Sequence, residues 1–202
     1  KRVVAEAKSL GFEYFTGPEC EFFLFPKDEL GNIQRTSRGN GYYFNLVADE
    51  AHAIKREIMS ALKELGIESE VSTYEVADNQ HEIDIRYDRA LKTADNVITL
   101  KMAAKFIAFK HRVHVTFMPK PFYGINGSAM HTHQSLWKGG KNAFYDKSDK
   151  YGLSTVAYQF LAGQLAHARE IAGVFAPTVN SYKRLTPGFE APAYVSWARI
   201  NR

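Results

Sequence analysis

The chain has 202 residues, 45% of them hydrophobic and 24% charged, the balance of a soluble globular protein with one or two domains and a sizeable core. Its net charge of +4 and pI near 9.0 fit an anionic partner such as a nucleotide, a carboxylate or a nucleic acid, but no run of Lys and Arg marks a nucleic-acid footprint. Cys20 is the only cysteine, which excludes an internal disulfide and points to a reducing, cytoplasmic setting, and neither a membrane-length apolar run nor a signal-peptide pattern is present.

In chain order, residues 1–10 read as a short helix stopped by Gly11. Residues 12–16 read as extended, Gly17-Pro18 as a turn, and 19–25 as a strand ended by Pro26. On that strand Glu19, Glu21, Phe23 and Phe25 share one face, and Cys20, Phe22 and Leu24 share the other. A polar loop over 27–40 leads to a short strand at 41–46. The clearest helix is 48–65, where Ala51, Ile54, Ile58, Ala61, Leu62 and Leu65 form the apolar stripe and Gly66 supplies the stop. Strands are expected at 67–76 and 82–87 around an Asp78-Asn79 turn, the second with Glu82, Asp84 and Arg86 on one face and Ile83, Ile85 and Tyr87 on the other. Residues 89–110 form a long helix whose core stripe is expected to be Leu91, Ala94, Ile98, Met102, Phe106 and Phe109, with apolar residues on its second face as well. Strands follow at 114–118 and through the His131-Thr132-His133 segment, then a Gly139-Gly140 hairpin turn into 142–145. Ser154 caps a helix running to about 172, residues 180–190 read as a loop, and 193–197 as a strand. Strands joined by hairpins and crossovers, with helices between them, give an α+β fold with a mostly antiparallel sheet and helices packed on it.

The chemistry concentrates in a few places. His131 and His133 stand two apart, so on a strand both imidazoles face one way, able to ligate a metal or bind phosphate. Glu19 and Glu21 lie side by side and repel each other unless a cation compensates them; Glu75 and Glu82 bracket a turn. Several carboxylates with one imidazole suit Mg²⁺ or Mn²⁺ better than zinc.

Four segments carry a resemblance. Gly17-Pro18-Glu19-Cys20-Glu21-Phe22-Phe23-Leu24-Phe25, residues 75–84 (Glu75 to Asp84), residues 126–135 (Asn126 to Ser135) and residues 180–192 (Asn180 to Pro192) occur in the order of the metal, acidic, substrate–nucleotide and flap segments of the type I glutamine synthetase family. The likeness covers nearly the whole chain and implies the family's catalytic-domain fold, of the glutamine synthetase/guanido kinase-like kind, over residues 1–202. It also implies ATP-dependent ligation of ammonia to the γ-carboxylate of L-glutamate through γ-glutamyl phosphate, with two Mg²⁺ or Mn²⁺ ions and a homo-oligomer. By resemblance, Glu21, Glu75 and Glu82 match ligands of one ion, and Glu19 and His131 ligands of the other. Asn126 and Gly127 match the glutamate-binding turn. Glu70, His133, Gln134 and Ser135 match nucleotide contacts, and Tyr87 an aromatic residue against adenine. Arg184 matches the grip on the glutamate carboxylate, Glu190 the flap carboxylate that closes over substrate and deprotonates ammonium, and Arg202 an arginine facing substrate and phosphate.

The chain departs from the family's habit at Thr73-Tyr74, where two histidines are common, at Asp78-Asn79, Ala129 and Cys20, and at residues 198–202. None of these removes a matched ligand. The family has a further domain before the position of Lys1 and a further metal-ligand glutamate after that of Arg202, so the chain is expected to be a piece of a longer protein, with an incomplete site and little activity by itself. The alternatives are a family relative that ligates glutamate to a larger amine, a non-catalytic homologue, and a basic nucleic-acid-binding domain. The expectation is against nucleic-acid and membrane partners.

Overall fold

The computed structural model describes residues 1–36 and 49–199. The strand expected at 41–46 lies outside them. Internal contacts divide the chain into two compact units, one of residues 16–133 and one of residues 1–15 with 134–202.

The first unit holds the sheet that matters for function. β1 (Glu13–Pro26) is a single strand of 14 residues. The turn expected at Gly17-Pro18 is absent, and both residues lie within the strand. Gly17 is needed there for closeness: a Cβ on it would stand 3.2 Å from that of Tyr87. β2 (Ser69–Tyr74) and β3 (Gln80–Ile85) form a hairpin whose turn places Asn79 at φ 64°, a conformation asparagine tolerates better than most residues. Spatial order is β2-β3-β1-β6, with β6 running from Met130 to Lys138; β4 (Asp88–Arg89) and β5 (Val113–Thr116) also pair with β1. The β1–β3, β1–β5 and β2–β3 pairings are all antiparallel.

α2 (Glu50–Glu64) is capped by the Asp49 side chain, which accepts from the His52 N–H at 2.8 Å, and ends before Gly66 at φ +75°. α2 and α3 (Ala90–Lys110) cover one sheet face. Cys20, Phe22 and Leu24 of β1 and Ile83 and Ile85 of β3 interleave there with Ile54, Ile58 and Leu62 of α2 and Val97, Leu100, Ala104 and Ile107 of α3. Each fully buried side chain of this size contributes about 1.5–3 kcal/mol.

The expected α3 stripe is the wrong one. Leu91, Ile98, Met102, Phe106 and Phe109 are all exposed, Phe109 by 78%, and Ala94 is exposed too. Thr93, Val97, Leu100, Ala104, Ile107 and Ala108 face the sheet instead. Both faces of the helix are apolar, so periodicity could not decide between them. The closely packed face takes the smaller side chains, which let the helix approach the strands.

In the second unit, α1 (Arg2–Ser9) precedes β1, and β6 pairs with β7 (Lys141–Asn142) across Gly139 and Gly140, both at positive φ. Ser154 caps α4 (Thr155–Ala166) by accepting from the Ala157 N–H. The single helix expected to about residue 172 breaks at His167 and resumes as α5 (Ala168–Phe175). The loop expected from 180 begins as a helix, α6 (Val179–Arg184), because Thr178 and Ser181 form a reciprocal capping box. Residues 193–197 make no ladder; their β-forming composition finds no partner strand among the described residues.

Candidate functional site

The sheet face opposite the helices carries the chemistry, and strand alternation puts it there. With Cys20, Phe22 and Leu24 committed to the core, Glu19 and Glu21 must face the other way. In β3 the same alternation sends Ile83 and Ile85 inward and Gln80, Glu82 and Asp84 outward. The β1–β3 register then sets Glu21 directly across from Glu82 and Glu19 directly across from Asp84. Like charges directly opposed on neighbouring strands destabilise a sheet, and here two such pairs sit side by side.

The electrostatics follow. Glu82 is 9% exposed. Burial first, then Asp84, Glu75, Glu21 and Glu19, push its carboxyl from the ordinary 4.5 up to about 9. Burial, then Glu19 and Glu70, push Asp84 up to about 6. Glu21 is also buried, and its Oε2 accepts from the Gln80 side-chain amide at 2.8 Å and from the Ala129 N–H at 3.1 Å.

β6 brings both histidines to this face. His133 Nε2 bonds Glu19 Oε1. His131 Nδ1 stands 3.3 Å from Glu19 Oε2 and 3.8 Å from Glu21 Oε1. One ligand atom from each of Glu19, Glu82 and His131 lies within 4.8 Å of the other two, a spacing that one cation can bridge. The Thr73 hydroxyl lies 3.4 Å from a carboxylate oxygen of both Glu75 and Glu82, which draws Glu75 to the edge of the cluster. The five residues matched to metal ligands are therefore brought together. An oxygen-rich set with one imidazole and surplus negative charge suits Mg²⁺ or Mn²⁺.

The remaining matched residues divide between the units. In the first, Glu70 is exposed on β2, Tyr87 is about half exposed, and Asn126 and Gly127 lie in the irregular segment between a turn at Tyr123-Gly124 and β6, with the Gly127 carbonyl 3.1 Å from the Gln80 amide. In the second, Gln134 accepts from the Tyr14 hydroxyl, and Ser135 Oγ accepts from Trp137 Nε1 at 3.0 Å. Arg184 ends α6 and is 8% exposed. Glu190 is exposed, two residues past Gly188, with φ +49°, a left-handed conformation that costs a non-glycine residue on the order of 1 kcal/mol. Arg202 lies outside the described residues.

Sequence reasoning missed three participants. Asp84 stands on the Glu82 face already in the sequence pattern but without a role assigned, and Gln80 shares that face by the same alternation, a signal that was available. Lys55, 2% exposed within α2's buried stripe, was not foreseeable: its ammonium donates to the Thr73 carbonyl at 2.8 Å and lies 3.8 Å from the centre of the Tyr74 ring.

Fold and site together define a class: α+β proteins with an antiparallel sheet, helices on one face and a carboxylate–imidazole cluster on the other. The family model described as glutamine synthetase, catalytic domain, matches residues 1–202, and the chain belongs to that family. Glutamine synthetase from Clostridium saccharobutylicum is 52% identical over 203 residues, covering 100% of this chain and 46% of the relative. That from Thermotoga maritima is 49% identical with the same coverage. Among solved structures, Plasmodium falciparum glutamine synthetase superposes with TM-score 0.82 at 31% identity over 94% of this chain and 43% of the other. GmaS in complex with ADP also gives 0.82, at 36% identity, over 96% of this chain and 45% of the other. The chain thus spans less than half the length of the relatives it matches.

Proposed function

We propose that the chain carries the metal and phosphoryl-transfer part of an ATP-dependent glutamate–ammonia ligase. The observation that carries the reading is the crowding of Glu19, Glu21, Glu82 and Asp84 on one sheet face beside His131, with the Glu82 carboxyl driven up to about 9 by burial and then by the neighbouring carboxylates. The residues fit two divalent ions, Mg²⁺ or Mn²⁺: Glu21, Glu75 and Glu82 would hold one, and Glu19 and His131 the other. Bound there, such ions would supply charge neutralisation for the transferring phosphoryl group and help align it.

The chain's own residues do the rest. The Asn126–Gly127 segment and Arg184 bind glutamate, the arginine gripping a carboxylate through its planar fork. Glu70, His133, Gln134 and Ser135 contact the nucleotide, and Arg202 faces substrate and phosphate. A γ-carboxylate oxygen of glutamate attacks the γ-phosphorus of ATP, the bond to ADP breaks, and γ-glutamyl phosphate forms. Glu190 attracts ammonium and takes one of its protons; ammonia attacks the acyl carbon and phosphate leaves. The segment around Pro187-Gly188 closes over the acyl phosphate to exclude water. The protein is cytoplasmic and works as a homo-oligomer. The names of relatives near half identity favour ammonia over a larger amine, and the ADP complex of GmaS supports the adenine nucleotide. Among the described residues no helix is long and apolar enough to cross a membrane.

The test is glutamine formation by the full-length protein from ATP, glutamate and ammonium, set against a panel of alkylamines. Ammonium is expected to be the preferred acceptor, with one phosphate released per glutamine. Preference for an alkylamine would overturn the ammonia assignment, and absence of ligation with every amine would overturn the enzyme reading.

A further inference from the structure

Gln80 opens β3 and is 1% exposed. Its side-chain nitrogen donates to Glu21 Oε2 at 2.8 Å and to the Gly127 carbonyl at 3.1 Å. Its side-chain oxygen accepts from the Ala77 N–H at 3.3 Å. Its backbone is equally engaged: the N–H donates to the Ala77 carbonyl, and the carbonyl accepts from the Glu75 N–H.

This network fixes the orientation of the amide. Turned over, the amide oxygen would face a carboxylate and a carbonyl while the NH₂ group faced an N–H, three mismatches in a buried place. Both amide hydrogens are therefore committed, one to a carboxylate of the acidic cluster and one to the Gly127 carbonyl of the Asn126-Gly127 segment. The segment is also held on both sides. Lys120, 7% exposed, donates to the Ile125 carbonyl, and the Ser128 N–H donates to the Pro119 carbonyl at 2.9 Å. Gln80 thus links the segment to the cluster through one side chain. Glu21 reinforces the link by accepting from the Ala129 N–H two residues beyond Gly127.

We propose that Gln80 is a positioning residue that couples cation binding at Glu21 to glutamate binding at the Asn126-Gly127 segment. This rests on the assignment of those residues to metal and substrate given above. A cation drawing on Glu21 fixes that carboxylate, the carboxylate fixes the amide, and the amide fixes the Gly127 carbonyl. Coupling of this kind is reciprocal: whatever factor the metal gives to glutamate affinity, glutamate gives back to metal affinity. Glutamine suits the task because it donates twice without adding charge. A glutamate there would set a further carboxylate against Glu21, and a methionine would fill the space with no donor.

The experiment measures Mn²⁺ affinity of the full-length protein by electron paramagnetic resonance, with and without saturating glutamate, for wild type, Gln80→Met, Gln80→Glu and Glu21→Gln. Thermal unfolding and ADP affinity are recorded alongside. In wild type, glutamate is expected to tighten Mn²⁺ binding. In Gln80→Met, Mn²⁺ affinity should fall roughly 10–100-fold, the usual effect of losing a partner that orients a ligand, while the glutamate effect on Mn²⁺ disappears and ADP affinity holds. Gln80→Glu should lose the coupling too, so a folding failure of one variant leaves the other to decide. A coupling factor unchanged from wild type in a folded Gln80 variant would overturn the proposal. Undiminished Mn²⁺ binding in Glu21→Gln would instead overturn the metal assignment on which it rests.

Discussion

Replacing Glu82 by glutamine tests whether the acidic face is under electrostatic load. Unfolded, the Glu82 carboxyl loses its proton near 4.5; folded and without metal, it keeps the proton up to about 9. Across that window the folded state binds more protons than the unfolded state, so stability is fully present below pH 4.5 and declines as pH rises towards 9. From pH 4.5 to pH 7 the decline attributable to this group is about 2.5 pH units at about 1.4 kcal/mol each, on the order of 3 kcal/mol. The neutral amide of a Glu82→Gln variant has no proton to lose, so that variant should lack most of the slope and be the more stable protein at pH 7 in chelator. The assay is urea unfolding from pH 5 to pH 8 in the presence of a chelator, then with Mg²⁺ or Mn²⁺. Metal should flatten the wild-type slope, because a bound cation favours the carboxylate, and should do much less for the variant. Parallel slopes in the two proteins without metal would refute the reasoning.

Glu190→Ala in the full-length protein should leave ADP affinity unchanged, cut glutamine formation by roughly 10²–10⁴-fold and raise phosphate release per glutamine, read in one coupled assay; full glutamine formation with no excess phosphate would reduce Glu190 to a loop residue. Leu100→Ala, on the buried face of α3, should cost about 2–5 kcal/mol in urea unfolding, whereas Met102→Ala, 67% exposed, should stay within about 0.5 kcal/mol. The reverse ranking would show that the helix presents its other face to the sheet. Cys20 is 1% exposed and burial pushes its thiol up to about 12, so iodoacetamide should label it only in denaturant; stoichiometric labelling of native protein at pH 8 would contradict its burial.

What could be read in advance was whatever obeyed a single period. Alternation in residues 19–25 and 82–87 sorted Phe22 and Ile83 from Glu21 and Glu82, and the structure sorts them the same way. The Asp78-Asn79 turn and the Ser154 cap were legible from local chemistry. Three features were not. The α3 face was ambiguous because two stripes were apolar. α6 was hidden because its capping box uses Ser181 in place of the usual Glu or Gln, beside a Pro-Gly pair that reads as loop. The strand expected at 193–197 failed because pairing depends on a neighbour, which composition cannot supply. At the site, resemblance named the acids, but only the register shows that Glu21 faces Glu82 and Glu19 faces Asp84.

The unbroken run of β1 has a consequence for how this sequence can change over descent. Within 19–25 every second codon serves the core and every other one the acidic cluster or the small Phe23–Phe25 apolar patch beside it on the same face. Point changes at one position leave the other set where it was. A one-residue deletion ahead of Glu19 would exchange the two sets at once, driving carboxylates into the packing beneath α2 and α3 and presenting Cys20 and Phe22 where Glu19 and Glu21 stood. Length variation should therefore collect in the connections around β1 and stay out of the strand, however far its individual side chains drift.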